Sequence, residues 1–335
     1  MSMVTIRSNE MQERFKSILL NEGFTPEDSL QCATVFTNNT VDGIATHGVN
    51  RFSRFVDYIR KRIINIHASP TLQNKFGGME QWNGNLGAGI LNALHATETV
   101  GHLASQHGIG CVALNNTNHW MRGGTYGWQA AKAGYVFIAW TNTIANMPAW
   151  GARDAKLGNN PLVVALPYKD EAIVLDMAMS QFSFGFMELS EMKNEKLSVH
   201  GGFDKEGTLT NDPSSILASR RPLPMGYWKG AGLALLLDLL ATCLSGGLAT
   251  HEIGANKVEY GVSQVFIAID ISRLGNHSSI AIVIENILND YKNSVAMDES
   301  KKITYPGERV LQTRKNNLEI GIPVVKKIWD EILAL

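Results

Sequence analysis

Five apolar, β-prone runs, Gly110 to Leu114, Tyr135 to Thr141, Leu162 to Leu166, Ile173 to Met177 and Val265 to Ile269, are bounded by turn residues and too short for helices. Strands of this kind must bury at least one face. The helical patterns between and after them, over Ile90 to Gln106, Tyr126 to Ala133, Gly232 to Leu244 and Ser278 to Asn293, supply a covering layer. The chain therefore reads as an α+β protein of mixed α and β layers. With 335 residues, 44% of them apolar and only 18% charged, it has enough hydrophobic mass for about two well-cored units.

The first unit is expected over residues 1–66. Residues 5 to 65 read as helical throughout, with Ser8 as a cap, Gly23 as a stop and Thr25-Pro26-Glu27-Asp28 as a cap with a Pro-led first turn. Phe52, Phe55, Val56, Ile59 and Ile63 mark the apolar stripe of a further helix. From His67 to Gly78 the pattern breaks into a linker, and a second unit follows over 67–299. Val310 to Arg314 and Val324 to Leu335 look helical again, so residues 300–335 are expected to fold back on the first unit.

Thirty Lys and Arg against 31 Asp and Glu, with no long basic run, argue against nucleic acid or an anionic membrane as partner. Cys32, Cys111 and Cys243 lack a metal-type spacing and read as reduced, buried thiols of a cytoplasmic protein, and no metal is expected. No signal-type apolar core occurs in the first thirty residues. Gly230 to Ala249 is long and apolar enough to be weighed as a membrane span. Asp238 near its centre costs roughly 2.5–3.5 kcal/mol in a bilayer, so a helix buried in a large core is the better reading.

Chemistry concentrates in two short stretches. Thr46-His47-Gly48-Val49-Asn50-Arg51 and Asn118-His119-Trp120-Met121-Arg122-Gly123-Gly124 each hold a His and an Arg a few residues apart among neutral, Gly-punctuated neighbours. An imidazole exchanges a proton near neutral pH, and a guanidinium beside it grips a carboxylate with two parallel bonds. The pairing suits an anionic carbonyl compound, with Arg51 on its carboxylate and His47 or His119 as the acid. The other seven histidines lack an obvious partner. A dinucleotide fingerprint is missing: Gly87-Ala88-Gly89 has no third glycine and follows a segment that does not read as an apolar strand, and Gly108-Ile109-Gly110 precedes a strand instead of following one. Lys229, flanked by glycines before an apolar helix, reads equally as a phosphate ligand or a solvated turn residue, and Trp228 as a wall for an adenine or as core. Asp176, a carboxylate inside an apolar strand, needs donors, which ribose hydroxyls or backbone N–H groups could provide.

Together with Gly158-Asn159-Asn160-Pro161-Leu162, Leu175-Asp176-Met177-Ala178-Met179-Ser180 and Met225-Gly226-Tyr227-Trp228-Lys229-Gly230, the two His/Arg stretches resemble the malate/L-lactate dehydrogenase family that lacks the Rossmann fold, and the likeness runs essentially end to end. It implies a non-Rossmann NAD-binding fold with a largely antiparallel or mixed sheet flanked by helices, and an NADH-dependent reductase of a small keto acid that works as a homodimer. Carried over by motif, His47 becomes the proton donor. Ala172, Ile173, Val174, Leu175, Asp176, Met177 and Ala178, the pair Trp228 and Lys229, and the turn Gly307, Glu308 and Arg309 become cofactor ligands. Gly-Asn-Asn-Pro at 158–161 departs from the more usual Gly-Thr-Asn-Pro. Rival expectations are a dehydrogenase of malate, lactate or ureidoglycolate, an imino acid reductase, or a silent nucleotide-binding protein.

Overall fold

The computed structural model describes residues 2–256 and 258–335. It opens with β1 (Met3–Ile6), α1 (Ser8–Asn21), α2 (Pro26–Val41), a 3-10 turn over Ala45–His47 and α3 (Val49–Arg60). Thr25 caps α2 as expected, its Oγ1 accepting the Asp28 N–H at 3.1 Å with Pro26 leading the first turn. Gly23, at φ +97°, ends α1. Two expectations are corrected. Ser8 is already inside α1, whose cap position is Arg7, because Met3–Ile6 is drawn into a strand rather than a helix. Ile63 lies beyond α3, which stops at Arg60.

The second stretch contains β2 (Thr71–Phe76), β3 (Met79–Asn83), α4 (Gly89–His107), β4 (Ile109–Thr117), α5 (Gly123–Lys132), β5 (Tyr135–Thr141), β6 (Met147–Pro148), β7 (Ala155–Leu157), β8 (Leu162–Tyr168) and β9 (Glu171–Met177). After these come α6 (Phe184–Lys193), β10 (Gly202–Phe203), β11 (Leu209–Thr210), α7 (Pro213–Ser219), α8 (Trp228–Ser245), α9 (Thr250–Ala255), β12 (Val262–Asp270) and α10 (His277–Lys292). The chain closes with α11 (Glu308–Ile320), β13 (Ile322–Val325) and α12 (Lys326–Leu333). All five expected strands lie inside β4, β5, β8, β9 and β12.

A seven-stranded sheet runs in the order β2-β3-β4-β12-β5-β8-β9, with β3 and β4 parallel and every other neighbour antiparallel. Helices α4 and α5 cover one face over a core that includes Val100, Tyr126, Phe137 and Phe266. On the opposite face α8 lays Ala231, Ala234, Leu237 and Ala241 against Trp140 and Val265. A separate core joins α1, α2 and α3 to the end of the chain: β13 pairs with β1, Trp329 and Ile332 of α12 are buried with them, and Phe15 stacks on Phe52 at 4.1 Å.

The segment expected as a linker forms β2, an edge strand exposed along its whole length, so no buried face marks it in the sequence. Val324 and Val325, expected at the start of a helix, belong instead to β13, whose β-branched Ile322, Val324 and Val325 pair with β1, and the helix begins at Lys326. Gly87-Ala88-Gly89 does follow a strand, contrary to expectation, and α4 links the parallel β3 and β4. The glycines nonetheless serve packing. A Cβ on Gly89 would meet the Asn118 carbonyl at 2.2 Å, and Asn118 Nδ2 donates to the Leu86 and Gly87 carbonyls at 2.8 and 3.0 Å, which fills the space a phosphate needs. Helix α8 is half a core helix only. Its outer face leaves Leu235, Leu236, Leu239 and Leu240 about half exposed, Leu236 at 55%, and Cys243 is exposed rather than buried.

Candidate active site

His47 is held from below by α2. Thr40 Oγ1 accepts the Val49 N–H at 2.9 Å, and Asn39 Nδ2 donates to the His47 carbonyl at 2.9 Å. Gly48 makes the approach possible: a Cβ there would sit 2.2 Å from Thr40 Oγ1 and 2.9 Å from the Phe36 carbonyl. His119 comes from the loop between β4 and α5, which is fixed through its backbone. Tyr126 Oη donates to the Trp120 carbonyl at 2.7 Å and Gln264 Nε2 to the Asn118 carbonyl at 3.2 Å.

These supports bring the two rings into a stack, with centroids 5.7 Å apart and planes 24° from parallel. His119 Nδ1 accepts the Met121 N–H at 2.9 Å, so the neutral ring carries its proton on Nε2. Burial lowers the His47 pKa to about 4, helped by the positive charges of Arg51 and Arg122. Burial, followed by Arg51, His47 and Arg54, also holds His119 well below the usual imidazole range. Both rings are neutral at pH 7 in the free site. Arg51 lies in the first turn of α3, where its N–H bonds to the Gly48 carbonyl at 2.9 Å. Its guanidinium has no ion pair within 4.0 Å among the described residues.

Arg122 has a different fate from the carboxylate grip its spacing suggested. It is buried, bonded to Asp42 Oδ2 and 3.8 Å from Asp176, and it lies 4.9 Å from the centroid of the Trp128 ring. Arg314 of α11 completes the cluster, donating to both Asp42 oxygens at 2.6 and 2.9 Å. This network ties α11 to the residues just before His47. Asp176 Oδ2 accepts the Gly124 N–H at 2.8 Å; burial raises its pKa against the opposing pull of Arg122 and that N–H.

The two histidines open on a cavity of about 510 Å³. Its walls include Thr141 at the end of β5 with Asn142 and Thr143 after it, Asn159, Glu259, the β9 residues Val174, Leu175 and Asp176, Ala178 just beyond β9, and Pro306, Gly307 and Val310. Two of the three expected cofactor segments therefore meet: the Val174 N–H bonds to the Pro306 carbonyl at 3.2 Å, and a Cβ on Gly307 would lie 3.2 Å from both Val174 N and Trp128. Ala172 and Val174 send their side chains into the core beneath α5, leaving Leu175 and Asp176 to the cavity. Trp228 and Lys229 stand outside its lining, exposed at the start of α8, though the Met225 N–H ties that turn to Met179 at 2.7 Å. Glu308 is engaged by Lys292 and Arg309 is exposed.

An outer-edge strand, a glycine cradle and a buried Trp128 Nε1 with no acceptor suit an extended ligand rich in hydroxyls and amides, such as a nicotinamide dinucleotide. Sequence reading missed Asp42, Arg314 and Glu259. None belongs to a motif; Asp42, directly before Gly43 at the end of α2, offered the one local signal.

The family described as malate/L-lactate dehydrogenase matches residues 6–333. A 2,3-diketo-L-gulonate reductase of Klebsiella pneumoniae (strain 342) is 42% identical over 328 residues, covering 98% of each chain. The 2,3-diketo-L-gulonate reductase of Haemophilus influenzae gives the same figures. The crystal structure of malate dehydrogenase from Entamoeba histolytica superimposes with a TM-score of 0.94 at 22% identity, covering 99% of this chain and 97% of that one.

Proposed function

The chain belongs to the malate/L-lactate dehydrogenase family, and from that premise we propose that it is an NADH-dependent reductase converting 2,3-diketo-L-gulonate to 3-keto-L-gulonate. One observation carries the reading: two stacked imidazoles, under the field of an Arg51 guanidinium without a described ion partner, open on a cavity whose wall includes an edge strand of the sheet. The relatives' names supply the substrate.

Bound NADH supplies the hydride that reduces the 2-keto carbon. Arg51 holds the neighbouring carboxylate, which turns the carbonyl toward that hydride. The arriving negative charge also cancels part of the field that keeps His47 neutral, so substrate binding raises the His47 pKa and loads it with a proton. His47 then delivers this proton to the oxygen as the carbonyl becomes an alcohol, while His119 donates a hydrogen bond from Nε2 to the same oxygen. The edge backbone of Ala172 to Ala178 and the turn at Gly307, Glu308 and Arg309 would hold the cofactor, and Trp228 and Lys229, exposed at the start of α8 outside the cavity lining, would contact its phosphates from that side. We also assign residues 1–66 with 300–335 and residues 67–299 to two units within each subunit of a cytoplasmic homodimer, and the exposed leucines of α8 support the pairing of subunits.

The test is loss of reduced-nicotinamide absorbance with freshly prepared 2,3-diketo-L-gulonate beside pyruvate and oxaloacetate. Turnover confined to the diketo acid is expected. Turnover with another keto acid alone discards the substrate and keeps the chemistry, and silence with all of them overturns the reading. Lys229→Ala is expected to weaken NADH binding about tenfold by fluorescence titration, as a lost phosphate contact should; unchanged affinity removes Lys229 from the cofactor site.

A further inference from the structure

Glu259 is a carboxylate on the wall of the same cavity, and the reaction as derived has no use for it. It is fixed by the loop between β5 and β6, its Oε2 accepting the Ile144 N–H at 3.0 Å. Burial raises its pKa, and the Ile144 N–H, Arg51 and Arg54 pull the other way. Arg51 and Arg54 therefore act on it electrostatically, yet no described Lys, Arg or His comes within 4.0 Å of it. Glu259 on the cavity wall and Arg51, whose charge reaches both Glu259 and the two imidazoles, each lack an ion pair among the described residues, and charges held apart in this way are costly for a fold to keep, because each loses water without gaining the other. Around Glu259 the lining is neutral and polar: Thr143, Asn142 and Asn159 face the cavity, and Asn146 Oδ1 beside Asn159 is buried without a partner.

We propose that Glu259 is a specificity-determining residue that accepts hydrogen bonds from the hydroxyl-bearing tail of the substrate and repels keto acids whose tail ends in a second carboxylate. The inference rests on the reading above only in taking Arg51 as the anchor for the first carboxylate. A polyhydroxy acid anchored there extends its tail toward the acceptor-rich corner, where each hydroxyl has a donor to offer. A dicarboxylate puts like charges together in a site with little water to screen them. The side chain thus sorts polyol acids from malate-type acids by sign of charge, with no change to the reacting end.

The experiment is calorimetric binding to the NADH-loaded protein at pH 8, comparing L-gulonate with L-malate in wild type, Glu259→Gln and Glu259→Asp. This readout does not depend on turnover. The wild type is expected to prefer gulonate, and Glu259→Gln to shift the gulonate-to-malate ratio toward malate by on the order of ten- to a hundredfold, the size of one charged hydrogen bond lost and one repulsion removed. Glu259→Asp keeps the charge and is expected to keep most of the preference, which separates this role from a merely structural one. A ratio unmoved by Glu259→Gln overturns the proposal, as does failure of the wild type to bind either acid. Absence of turnover with 2,3-diketo-L-gulonate alongside the expected binding ratios overturns the assigned substrate and leaves Glu259 in place.

Discussion

A proton donor with a pKa near 4 is a poor acid reservoir at pH 7 until something negative arrives, and His47 is in that position because burial and Arg51 act in the same direction. The sign of the pH dependence follows. Only the protonated ring can donate, so kcat/KM for keto-acid reduction is expected to rise as pH falls from 8 toward 5, by up to about tenfold per unit, and the reverse oxidation to fall on the acid side. In kcat the same ionisation is expected at higher pH, since bound carboxylate favours the imidazolium. His47→Ala should abolish this dependence and reduce turnover by roughly 10²- to 10⁴-fold with NADH affinity unchanged; turnover and pH dependence both retained in that variant shift the acid role to His119. The lowered pKa also bears on stability: the unfolded imidazole binds its proton near pH 6.5 and the folded one only near 4, so stability declines as pH falls through that interval. His47, His119 and Arg51 were legible in sequence because each His/Arg pair is local. Asp42 bonds to Arg314 across 272 positions, and Glu259 comes under the charge of Arg51 only through the fold, so neither interaction leaves a pattern along the chain.

Elements were legible where burial imposes a pattern. The strands β4, β5, β8, β9 and β12 are covered by helices on at least one face and read as apolar runs, whereas β2 is exposed throughout and β1 and β13 are short strands that exist only because they pair with each other. The turn from α2 into α3 shows an element placing a functional group. Its one indispensable residue is Gly48, and Gly48→Ala forces a Cβ into Thr40 Oγ1 and the Phe36 carbonyl. We expect a loss of about 1–3 kcal/mol in denaturant unfolding, together with lower turnover as His47 is pushed off the His119 stack. Wild-type stability and rate in this variant would show that the α2–α3 contact does not position the ring.

At the scale of the whole molecule, two helices carry apolar faces that nothing among the described residues of a single chain covers: Leu235, Leu236, Leu239 and Leu240 on α8, and Ile282, Val283 and Ile287 on α10. Patches of this kind are expected to be buried between subunits, so the double variant Leu236→Glu, Leu240→Glu should sediment as a monomer where the wild type sediments as a dimer. Identical sedimentation of the two places the subunit contact elsewhere. Sequence anticipated α8 as an apolar helix but assigned it to the interior, because hydropathy counts side chains without saying which face meets a neighbour. What the sequence determined by itself is the set of local matters: the α+β class, the strands with buried faces, the caps at Thr25 and Gly23, and the two His/Arg pairs, all governed by interactions within a few residues. Tertiary structure alone decided that Arg122 serves an internal ion network while Arg51 stays unpaired among described residues, that β9 lies at a sheet edge, and that Glu259 lines the same cavity as the two histidines. Those outcomes depend on charges and backbone edges brought together from distant parts of the chain, where burial makes an unpaired group costly and proximity alone determines its partner.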